Sequence, residues 1–448
     1  MSEVFGSLRD PAATFIITGA RVVDPGAGTD EVRDIAVVDG HIADASAAPP
    51  DAERIEGSGL VVAPAFCDLH VHLREPGDAA TETIASGARA AAKGGFSTVC
   101  AMPNTDPPLD DAAGIERVMA AAAAAACRVR VIGAATAGRG GERIADLDEQ
   151  AAAGVVAWSD DGASVATDEL TEAVLVAAAR LGRPLIEHAE DAGLAAGGVM
   201  RAGATAAALG LTGWDPRAEV TIVERDLAIA ARTGARIHLT HLSTAASVEA
   251  IRRARGEGVQ VTCDVTPHHL ALAETWVAGD RAFAWDEPRV DALLAYDAAC
   301  RVNPPLTTRE DALALLAAVD DGTIDAIATD HAPHPTPVKL VPFEEAAPGL
   351  IGLETALSIG LAAVAAGHLR LEALLGALGA RPAAIIGETR SLAVGGPADL
   401  VCFDPDARWR VERRTLVSRS ANTPLIGLEL PGAVRLTVAD GRVTYRAE

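Results

Sequence analysis

Residues 68–77 read DLHVHLREPG and end an apolar run that begins at Leu60. The chain has only 11 histidines, yet two of them stand two residues apart here and an arginine follows. Because a strand has a period of two, His70 and His72 are expected on the same side of a strand. Two imidazoles presented in this way can bind one metal ion. The stretch therefore predicts a strand that ends in a metal site.

Seven further apolar runs follow, with alanine-rich helical segments between them. They cover 97–103, 128–136, 154–160, 183–190, 236–243, 259–267 and 324–333. Apolar strands that alternate with helices indicate a parallel sheet covered on both faces. Together with the first run, this makes eight strand–helix units. The sequence predicts an α/β fold, a TIM-like (β/α)8 barrel over residues 63–388.

The residue pattern at both ends of the chain differs from that of the barrel segment. Short runs rich in β-branched residues, broken by Gly, Pro and Asp, occupy 14–65. A similar texture returns after about residue 390, in ADLVCFDPD (398–406), RTLVSRS (414–420) and VRLTVADGRVTYR (434–446). Neither end alone makes a convincing sheet. We therefore predict a small β-sandwich-like domain formed by residues 1–62 together with 389–448.

Composition narrows the function classes. The formal net charge of −24 argues against nucleic acid or an anionic membrane as the main partner, since both need a basic surface. The six cysteines form no CxxC pair, and the first residues do not resemble a signal peptide. No long uncharged apolar window predicts a membrane span. We expect a cytoplasmic protein.

Polar residues stand at the ends of five of the eight predicted strands. In such a barrel the carboxyl ends of the strands meet at one face, where active sites are built. Histidines and carboxylates that converge there favour a zinc-type metal centre. The candidates are His70, His72, Asp160, Asp161, His188, His241 and Asp330. The remaining histidines of the runs and their flanks, His238, His268, His269 and His331, are predicted to be hydrogen-bonded core residues.

The number of candidate ligands favours two metal ions. A single tetrahedral zinc takes about four ligands, its water included, whereas six protein ligands suit a pair of ions with a shared bridge. The bridge must be anionic. The fourth run contains no lysine, and the chain has only two lysines, Lys93 and Lys339, both elsewhere. A carboxylate must therefore serve, and these residues alone leave Asp160 and Asp161 as alternatives.

Nine segments spread over the chain carry a resemblance to a known family. They are DLHVHLREPG (68–77), AMPNT (101–105), SDDG (159–162), EHAE (187–190), HLST (241–244), DVTPHH (264–269), NPPL (303–306), ATDHAPH (328–334) and SANTPLIG (420–427). Together they resemble the longer bacterial type of dihydroorotase, in the amidohydrolase superfamily. In the segment 271–300 the chain is longer before NPPL than that family leads us to expect.

The resemblance implies a cofactor and a ligand set. It implies two Zn²⁺ per subunit, with Asp161, the second Asp of SDDG, as the bridge. His70, His72 and Asp330 would hold one zinc, and His188 and His241 the other. Asp330 would also be the catalytic residue, as the group that carries the proton.

The resemblance also implies substrate contacts and a reaction. The implied contacts are His72, Arg74, Asn104, Asn303, His334 and the backbone of Pro348 and Gly349. The implied reaction is the reversible cyclisation of N-carbamoyl-L-aspartate to L-dihydroorotate, a step of de novo pyrimidine biosynthesis. Arg74 fits this substrate, because a guanidinium binds a carboxylate bidentately. Strand parity after His72 predicts that its side chain enters the same cavity.

Two other functions are compatible with the same motifs. Hydantoinases, dihydropyrimidinases and allantoinases share the HxH element but usually carry the bridging lysine that this chain lacks. A non-catalytic dihydroorotase-like partner of aspartate carbamoyltransferase would typically have lost ligands, and all six positions are filled here. We expect a homo-oligomer, and association with that transferase is also compatible with an active enzyme.

Overall fold

The structure is a computed structural model that describes residues 3–447. Its strands, in chain order, are β1 (Glu3–Phe5), β2 (Phe15–Asp24), β3 (Thr29–Val38), β4 (His41–Ala43), β5 (Glu53–Glu56), β6 (Val61–Pro64), β7 (Phe66–Val71), β8 (Phe96–Ala101), β9 (Arg128–Ala134), β10 (Ala157–Ser159), β11 (Leu185–Glu187), β12 (Met200–Arg201), β13 (Gly213–Trp214), β14 (Ile237–Leu239), β15 (Val261–Val265), β16 (Ala326–Ile327), β17 (Leu400–Arg410), β18 (Glu429–Ala439) and β19 (Arg442–Ala447). Its α-helices are α1 (Ile84–Lys93), α2 (Ala112–Ala122), α3 (Leu147–Ala153), α4 (Asp168–Arg180), α5 (Ala192–Ala195), α6 (Ala204–Leu209), α7 (Arg217–Thr233), α8 (Ala245–Gly256), α9 (Pro267–Ala271), α10 (Arg309–Asp320), α11 (Thr336–Lys339), α12 (Ala356–Ala365), α13 (Leu371–Leu378) and α14 (Ala380–Ile385).

Eight parallel strands form a nearly closed barrel, in the spatial order β7, β8, β9, β10, β11, β14, β15, β16. The two edge strands meet where the amide of His72 donates to the carbonyl of His331 at 2.9 Å, beside a bridge between Val71 and His331. Each of the eight predicted apolar runs contains one of these strands, so the predicted barrel is confirmed. Their side chains are almost all buried, which explains why the runs are continuously apolar.

The remaining strands, apart from the short pair β12 and β13, form one nine-stranded sheet. Its order is β1, β19, β18, β17, β6, β2, β3, β4, and β5 pairs with β2. The sheet thus combines strands from both ends of the chain, as predicted. Apolar residues of both ends share one core, for example Phe15 and Val22 with Leu400 and Val438.

The first apolar run is divided between the two sheets. β6 pairs with β2 and β17 in the terminal sheet, whereas β7 pairs with β8 in the barrel. Only Ala65 separates them, and its amide donates to the Asp399 carbonyl at 3.0 Å. The position of the barrel's first strand is therefore tied directly to the terminal sheet.

One predicted β segment, RTLVSRS (414–420), is wrong. Residues Arg413–Thr415 form a 3-10 turn, and no strand follows before Glu429. The Glu354 carboxylate accepts the amides of Val417 at 2.9 Å and Ser418 at 3.0 Å. A side chain of the barrel unit thus takes the hydrogen bonds that a neighbouring strand would have made. We call residues 417–423 the strap, because they pass over loops at the mouth of the barrel.

No helix within residues 3–447 is long and apolar enough to cross a membrane.

Candidate metal centre and active site

Four imidazoles and two carboxylates converge at the carboxyl ends of the barrel strands. His72 Nε2 lies 3.0 Å from Asp330 Oδ1, and His70 Nε2 lies 3.3 Å from Asp161 Oδ1 and 3.5 Å from Asp330 Oδ1. His188 Nδ1 and His241 Nε2 each lie 3.6 Å from Asp161 Oδ1. All six side chains are buried. The structure therefore brings together the six ligands that the sequence proposes.

The two neighbouring aspartates of SDDG have different surroundings. Asp161 Oδ1 faces His70, His188 and His241, while its Oδ2 lies 3.5 Å from His72 Nε2. Asp160 instead accepts the amides of Ala135 and Thr136, each at 3.0 Å, and the Thr136 hydroxyl. The Asp161 carboxylate thus contacts histidines of both proposed groups, chiefly through Oδ1, as a bridging ligand must. The oxygens of Asp160 are occupied by the neighbouring strand.

The spacing of these atoms fits a transition-metal site. The ligand atoms of a tetrahedral zinc ion, at bond lengths of about 2.0–2.1 Å, stand about 3.3–3.4 Å apart. The distances of 3.0–3.6 Å between imidazole nitrogens and carboxylate oxygens are close to this value. His70 Nε2 is buried and has no hydrogen-bond partner, which fits a nitrogen that serves as a metal ligand. These residues could hold a metal ion in two overlapping groups.

Charge at the centre also favours a cation. Burial lowers the pKa of His70, but Asp161 and Asp330 outweigh burial and raise that pKa to about 10. Burial raises the pKa of Asp161, but the surrounding histidines hold it well below its usual value. The pKa of Asp330 is lowered in the same way, by His70 and His72 against burial. The attraction that holds a proton on His70 would equally hold a divalent cation between the two carboxylates.

The orientation of His70 is set by a chain of hydrogen bonds. The Thr240 hydroxyl donates to Asp264 Oδ2 at 2.9 Å, so it must accept from His70 Nδ1–H, which lies 3.0 Å away. This leaves the lone pair of His70 on Nε2, directed at Asp161 and Asp330. Asp264 also accepts the amide of His241 at 2.7 Å. One buried carboxylate thus supports a ligand from each group of histidines.

Asn104 has a comparable role toward His72. Its Nδ2 donates to Asp161 Oδ2 at 3.1 Å, and its Oδ1 lies 2.8 Å from His72 Nδ1. The amide oxygen can only accept, so His72 donates from Nδ1 and presents Nε2 to Asp330. The family resemblance implies that Asn104 contacts substrate, but in this structure its amide is engaged by two of the proposed metal ligands.

Three site residues have left-handed backbones that side chains rarely adopt. The φ angles are +56° at Arg74, +40° at His241 and +46° at Asp330. Such conformations cost on the order of 1–3 kcal/mol each and are maintained only where surrounding contacts impose them. At His241 and Asp330 the turn comes two and three residues after the strand end and directs the side chain toward the cluster. Strand periodicity alone does not predict this direction.

Arg74 reaches the mouth of the barrel, but not for the reason that the sequence suggested. β7 ends at Val71, so strand parity does not extend to Arg74. Its left-handed backbone brings Nη2 to 3.5 Å from His334 Nε2, while its Nε donates to the Pro333 carbonyl at 3.1 Å. Burial, with Arg74 nearby, lowers the pKa of His334 to about 4, so this imidazole is neutral.

The other proposed substrate residues surround the same opening. His334 Nε2 donates to the Pro348 carbonyl at 2.7 Å, and Asn303 Nδ2 lies 3.5 Å from His188 Nε2. Gly349 has φ +129°, and a Cβ added there would lie 2.9 Å from His334 Nε2. Only glycine fits this position. A cavity of 640 Å³ lies beside His334, with Tyr296 in its lining.

Three of the four histidines assigned to the core have hydrogen-bond partners. His238 bonds Asp264 at 2.8 Å, His269 Nε2 lies 3.1 Å from the Pro304 carbonyl, and His331 Nδ1 accepts the Gly352 amide at 3.2 Å. His268 is different, because both of its ring nitrogens are buried without a hydrogen-bond partner among the described residues. For His268 the predicted hydrogen bonding is therefore wrong.

Sequence reasoning missed Thr240, Asp264 and Asn422. The motifs DVTPHH and SANTPLIG contain two of these, but no residue pattern assigned them a role. Their roles become visible only from the partners that they contact in the fold.

The chain is similar to known proteins over nearly its whole length. A dihydroorotase of Anaeromyxobacter dehalogenans (strain 2CP-1) is 44% identical over 437 residues, which cover 96% of this chain and 98% of that protein. A dihydroorotase of Desulforapulum autotrophicum is 41% identical over 436 residues, again 96% of this chain and 98% of that protein. The chain belongs to the dihydroorotase family. A family model described as dihydro-orotase-like also matches residues 59–247.

Solved structures share the fold of this dihydroorotase family member. A dihydropyrimidinase from Brevibacillus agri superposes with a TM-score of 0.80 at 21% identity, covering 97% of this chain and 95% of that chain. A D-hydantoinase from Thermus sp. gives 0.79 at 24% identity, covering 96% and 95%. At these identities the likeness concerns the fold alone, a barrel with a terminal β-domain. It agrees with the fold that the sequence predicts.

Proposed function

We propose that this chain is a zinc-dependent dihydroorotase, which interconverts N-carbamoyl-L-aspartate and L-dihydroorotate in pyrimidine biosynthesis. The observation that carries the proposal is the position of Arg74, a half-buried guanidinium beside a metal-type cluster at the mouth of the barrel. The substrate combines a cyclic amide with a carboxylate, so it needs both elements. The family relationship over 96% of the chain agrees with it.

We assign the metal ligands as two groups that share Asp161. His70, His72 and Asp330 would hold one zinc ion, and His188 and His241 the other. The donor set of imidazoles and carboxylates suits zinc. Bound zinc supplies Lewis acidity, which polarises a carbonyl and makes water a nucleophile at neutral pH. Asp161 would take the place of the bridging lysine that is common in related cyclic-amide hydrolases, because its carboxylate contacts histidines of both groups.

Asp330 is the proposed proton carrier. Its pKa is lowered by His70 and His72 despite burial, so at neutral pH it is a carboxylate that can accept a proton. In ring opening, water adds to the ring amide carbon and gives its proton to Asp330. The C–N bond then breaks, and Asp330 returns the proton to the departing nitrogen. Ring closure is the same sequence in reverse.

The side chains at the rim hold the substrate in place. Arg74 keeps Nη1 and Nη2 available for the substrate carboxylate, since its Nε is bound to the Pro333 carbonyl. Neutral His334 would add a hydrogen bond, and Asn303 stands on the opposite side beside His188. The backbone of Pro348 and Gly349 would close over the ring. None of these groups needs to change its protonation state during the reaction.

The test is turnover of L-dihydroorotate by metal-replete protein, followed as loss of ultraviolet absorbance, with zinc measured by elemental analysis. We expect turnover with about two zinc ions per chain. Hydantoin and dihydrouracil, which lack the carboxylate, should be poor substrates. Faster turnover of either one would replace the proposal by a hydantoinase or dihydropyrimidinase activity. Metal-replete protein that turns over no cyclic amide would indicate the non-catalytic role.

We further propose a cytoplasmic homo-oligomer. Light scattering on the chain alone tests the oligomer. The same measurement after addition of aspartate carbamoyltransferase tests their association, and unchanged mass would exclude a stable complex.

A further inference from the structure

The chain contains only three asparagines in 448 residues, Asn104, Asn303 and Asn422. Two of them are proposed substrate residues. The third belongs to the strap, far along the chain from the barrel, yet its side chain is 8% exposed and lies among loops of the same mouth. All three asparagines of the chain thus belong to this site, which raises the question of what the Asn422 amide does.

Asn422 connects two loops. Its Nδ2 donates to the Ala332 carbonyl at 2.9 Å and to the Gly349 carbonyl at 3.1 Å, while its Oδ1 accepts the His334 amide at 3.1 Å. Its own carbonyl accepts the Ile351 amide at 3.1 Å. The orientation of the amide is fixed, because a rotated group would place oxygen against two carbonyl oxygens. Both donors and the acceptor of the side chain are used.

The hydrogen bonds of the Asn422 side chain hold the chain on both sides of the His334 imidazole, and we call them the bracket. One bond holds the backbone of His334 itself, and another holds Gly349, next to the Pro348 carbonyl that accepts His334 Nε2–H. The segment 332–334 also carries the Pro333 carbonyl to which Arg74 Nε donates. Asn422 therefore fixes the supports of both groups that are proposed to bind the substrate carboxylate, without reaching the cluster itself.

The strap has a separate attachment to the barrel. The Ser420 hydroxyl donates to the Thr81 carbonyl at 3.1 Å, and Glu354 accepts the amides of Val417 and Ser418. Ser420 is buried, like Asn422, but no side-chain bond of Ser420 reaches 332–334 or 349. Substitution of Ser420 therefore removes an attachment of the strap to the barrel, whereas substitution of Asn422 removes the bracket.

We propose that Asn422 is a positioning residue that sets the affinity for the substrate carboxylate by holding the loops 332–334 and 348–349 in register. The proposal rests on the proposed function as far as the substrate is concerned. Because the carboxylate does not react, its contacts are the same in the ground state and in the transition state. Loss of the bracket should thus raise KM and leave kcat nearly unchanged.

The test compares Asn422→Asp and Asn422→Ala with the control Ser420→Ala. Asn422→Asp keeps the shape but turns an oxygen toward the carbonyls of Ala332 and Gly349. We expect both Asn422 variants to raise KM for L-dihydroorotate about tenfold or more, with kcat within about threefold of the parent and unchanged zinc content. Ser420→Ala should lower the melting temperature and leave KM within about twofold.

Hydrogen–deuterium exchange gives a readout that does not need turnover. Peptides that cover 331–350 should exchange faster in Asn422→Ala than in the parent or in Ser420→Ala. A folded, zinc-replete Asn422→Asp with parental KM and parental exchange would overturn the proposal, and so would equal changes in Ser420→Ala. If the parent protein does not turn over L-dihydroorotate, the proposed function fails, and the exchange comparison still decides whether Asn422 holds these loops.

Discussion

The site has two parts that are built in different ways. The metal half consists of the proposed metal ligands, and the carboxylate half consists of the residues proposed to bind the substrate carboxylate. The proposed ligands stand at or just after the ends of barrel strands, where the parallel sheet itself brings them together. Arg74, His334 and Gly349 lie on loops. The Arg74 side chain donates to the Pro333 carbonyl, and the Asn422 side chain holds the backbones of His334 and Gly349. A regular sheet fixes positions through its period, whereas a loop needs a specific partner for each turn. The two halves should therefore respond differently to substitution.

The largest effect is expected from Asp161→Asn. This change keeps the shape but removes the charge that faces both groups of histidines, so at least one zinc ion should be lost. Turnover should fall by more than the roughly 10–100-fold that loss of an outer partner of a metal ligand costs. Elemental analysis measures the zinc content, and turnover of L-dihydroorotate measures the activity. Asp160→Asn is the matched control and should retain both ions; loss of zinc in Asp160→Asn alone would reverse the assignment of the bridge.

A smaller effect on the same half is expected from Thr240→Val. The substitution removes the hydroxyl that accepts from His70 Nδ1–H. His70 can then carry its proton on Nε2 instead, the nitrogen that should bind the metal. Zinc affinity should weaken about 10–100-fold, measured by competition with a chelator. Thr437→Val is the control, because the buried Thr437 hydroxyl donates to the Ala92 carbonyl at 2.7 Å, outside this hydrogen-bond chain. Equal affinities in the two variants would contradict the proposed relay.

On the carboxylate half, Arg74→Lys keeps the charge but loses the planar fork and the bond to the Pro333 carbonyl. We expect KM for L-dihydroorotate to rise about tenfold, since one charged hydrogen bond contributes about 1.5–3 kcal/mol and lysine recovers part of it. Zinc content should not change. Steady-state kinetics with elemental analysis check both statements. A loss of zinc would show that the two halves are not separable at Arg74.

The smallest effect concerns Lys339, which donates to the Arg301 carbonyl at 3.2 Å and the Ala347 carbonyl at 2.7 Å beneath the Pro348 loop. Burial lowers the pKa of Lys339 from 10.5 to about 8. Between these values the unfolded chain binds more protons at this residue, so its contribution to stability rises with pH. The melting temperature of the parent relative to Lys339→Met should therefore increase from pH 8 to pH 10. A constant difference would contradict the lowered pKa.

The sequence predicts the barrel strands that carry the proposed metal ligands well. Buried parallel strands show as continuous apolar runs, and His or Asp at their ends could be read directly. The ligand set itself stays a proposal, although the structure does bring its six members together. The choice between Asp160 and Asp161 depends on which carboxylate the neighbouring strand engages, and no local pattern records that.

The carboxylate half was harder to predict from the sequence. Arg74 was placed near the site through strand parity, yet β7 ends before it and a left-handed residue makes the turn. Residues 414–420 were predicted as β because they favour strands, but Glu354 engages the amides of Val417 and Ser418. Asn422 and Asp264 act through partners that are distant in sequence. Such contacts follow from the tertiary fold and not from local preference.

The position of Asn422 on the strap also bears on the order in which the site matures during synthesis. All six proposed ligands have been translated by residue 330, whereas the asparagine that brackets His334 comes 92 residues later (422 − 330). The strand β17, which pairs with β6 beside the first barrel strand, is likewise late. A nascent chain thus has the donors for metal before it has the support for substrate, and a chain that stops between these points would lack the bracket.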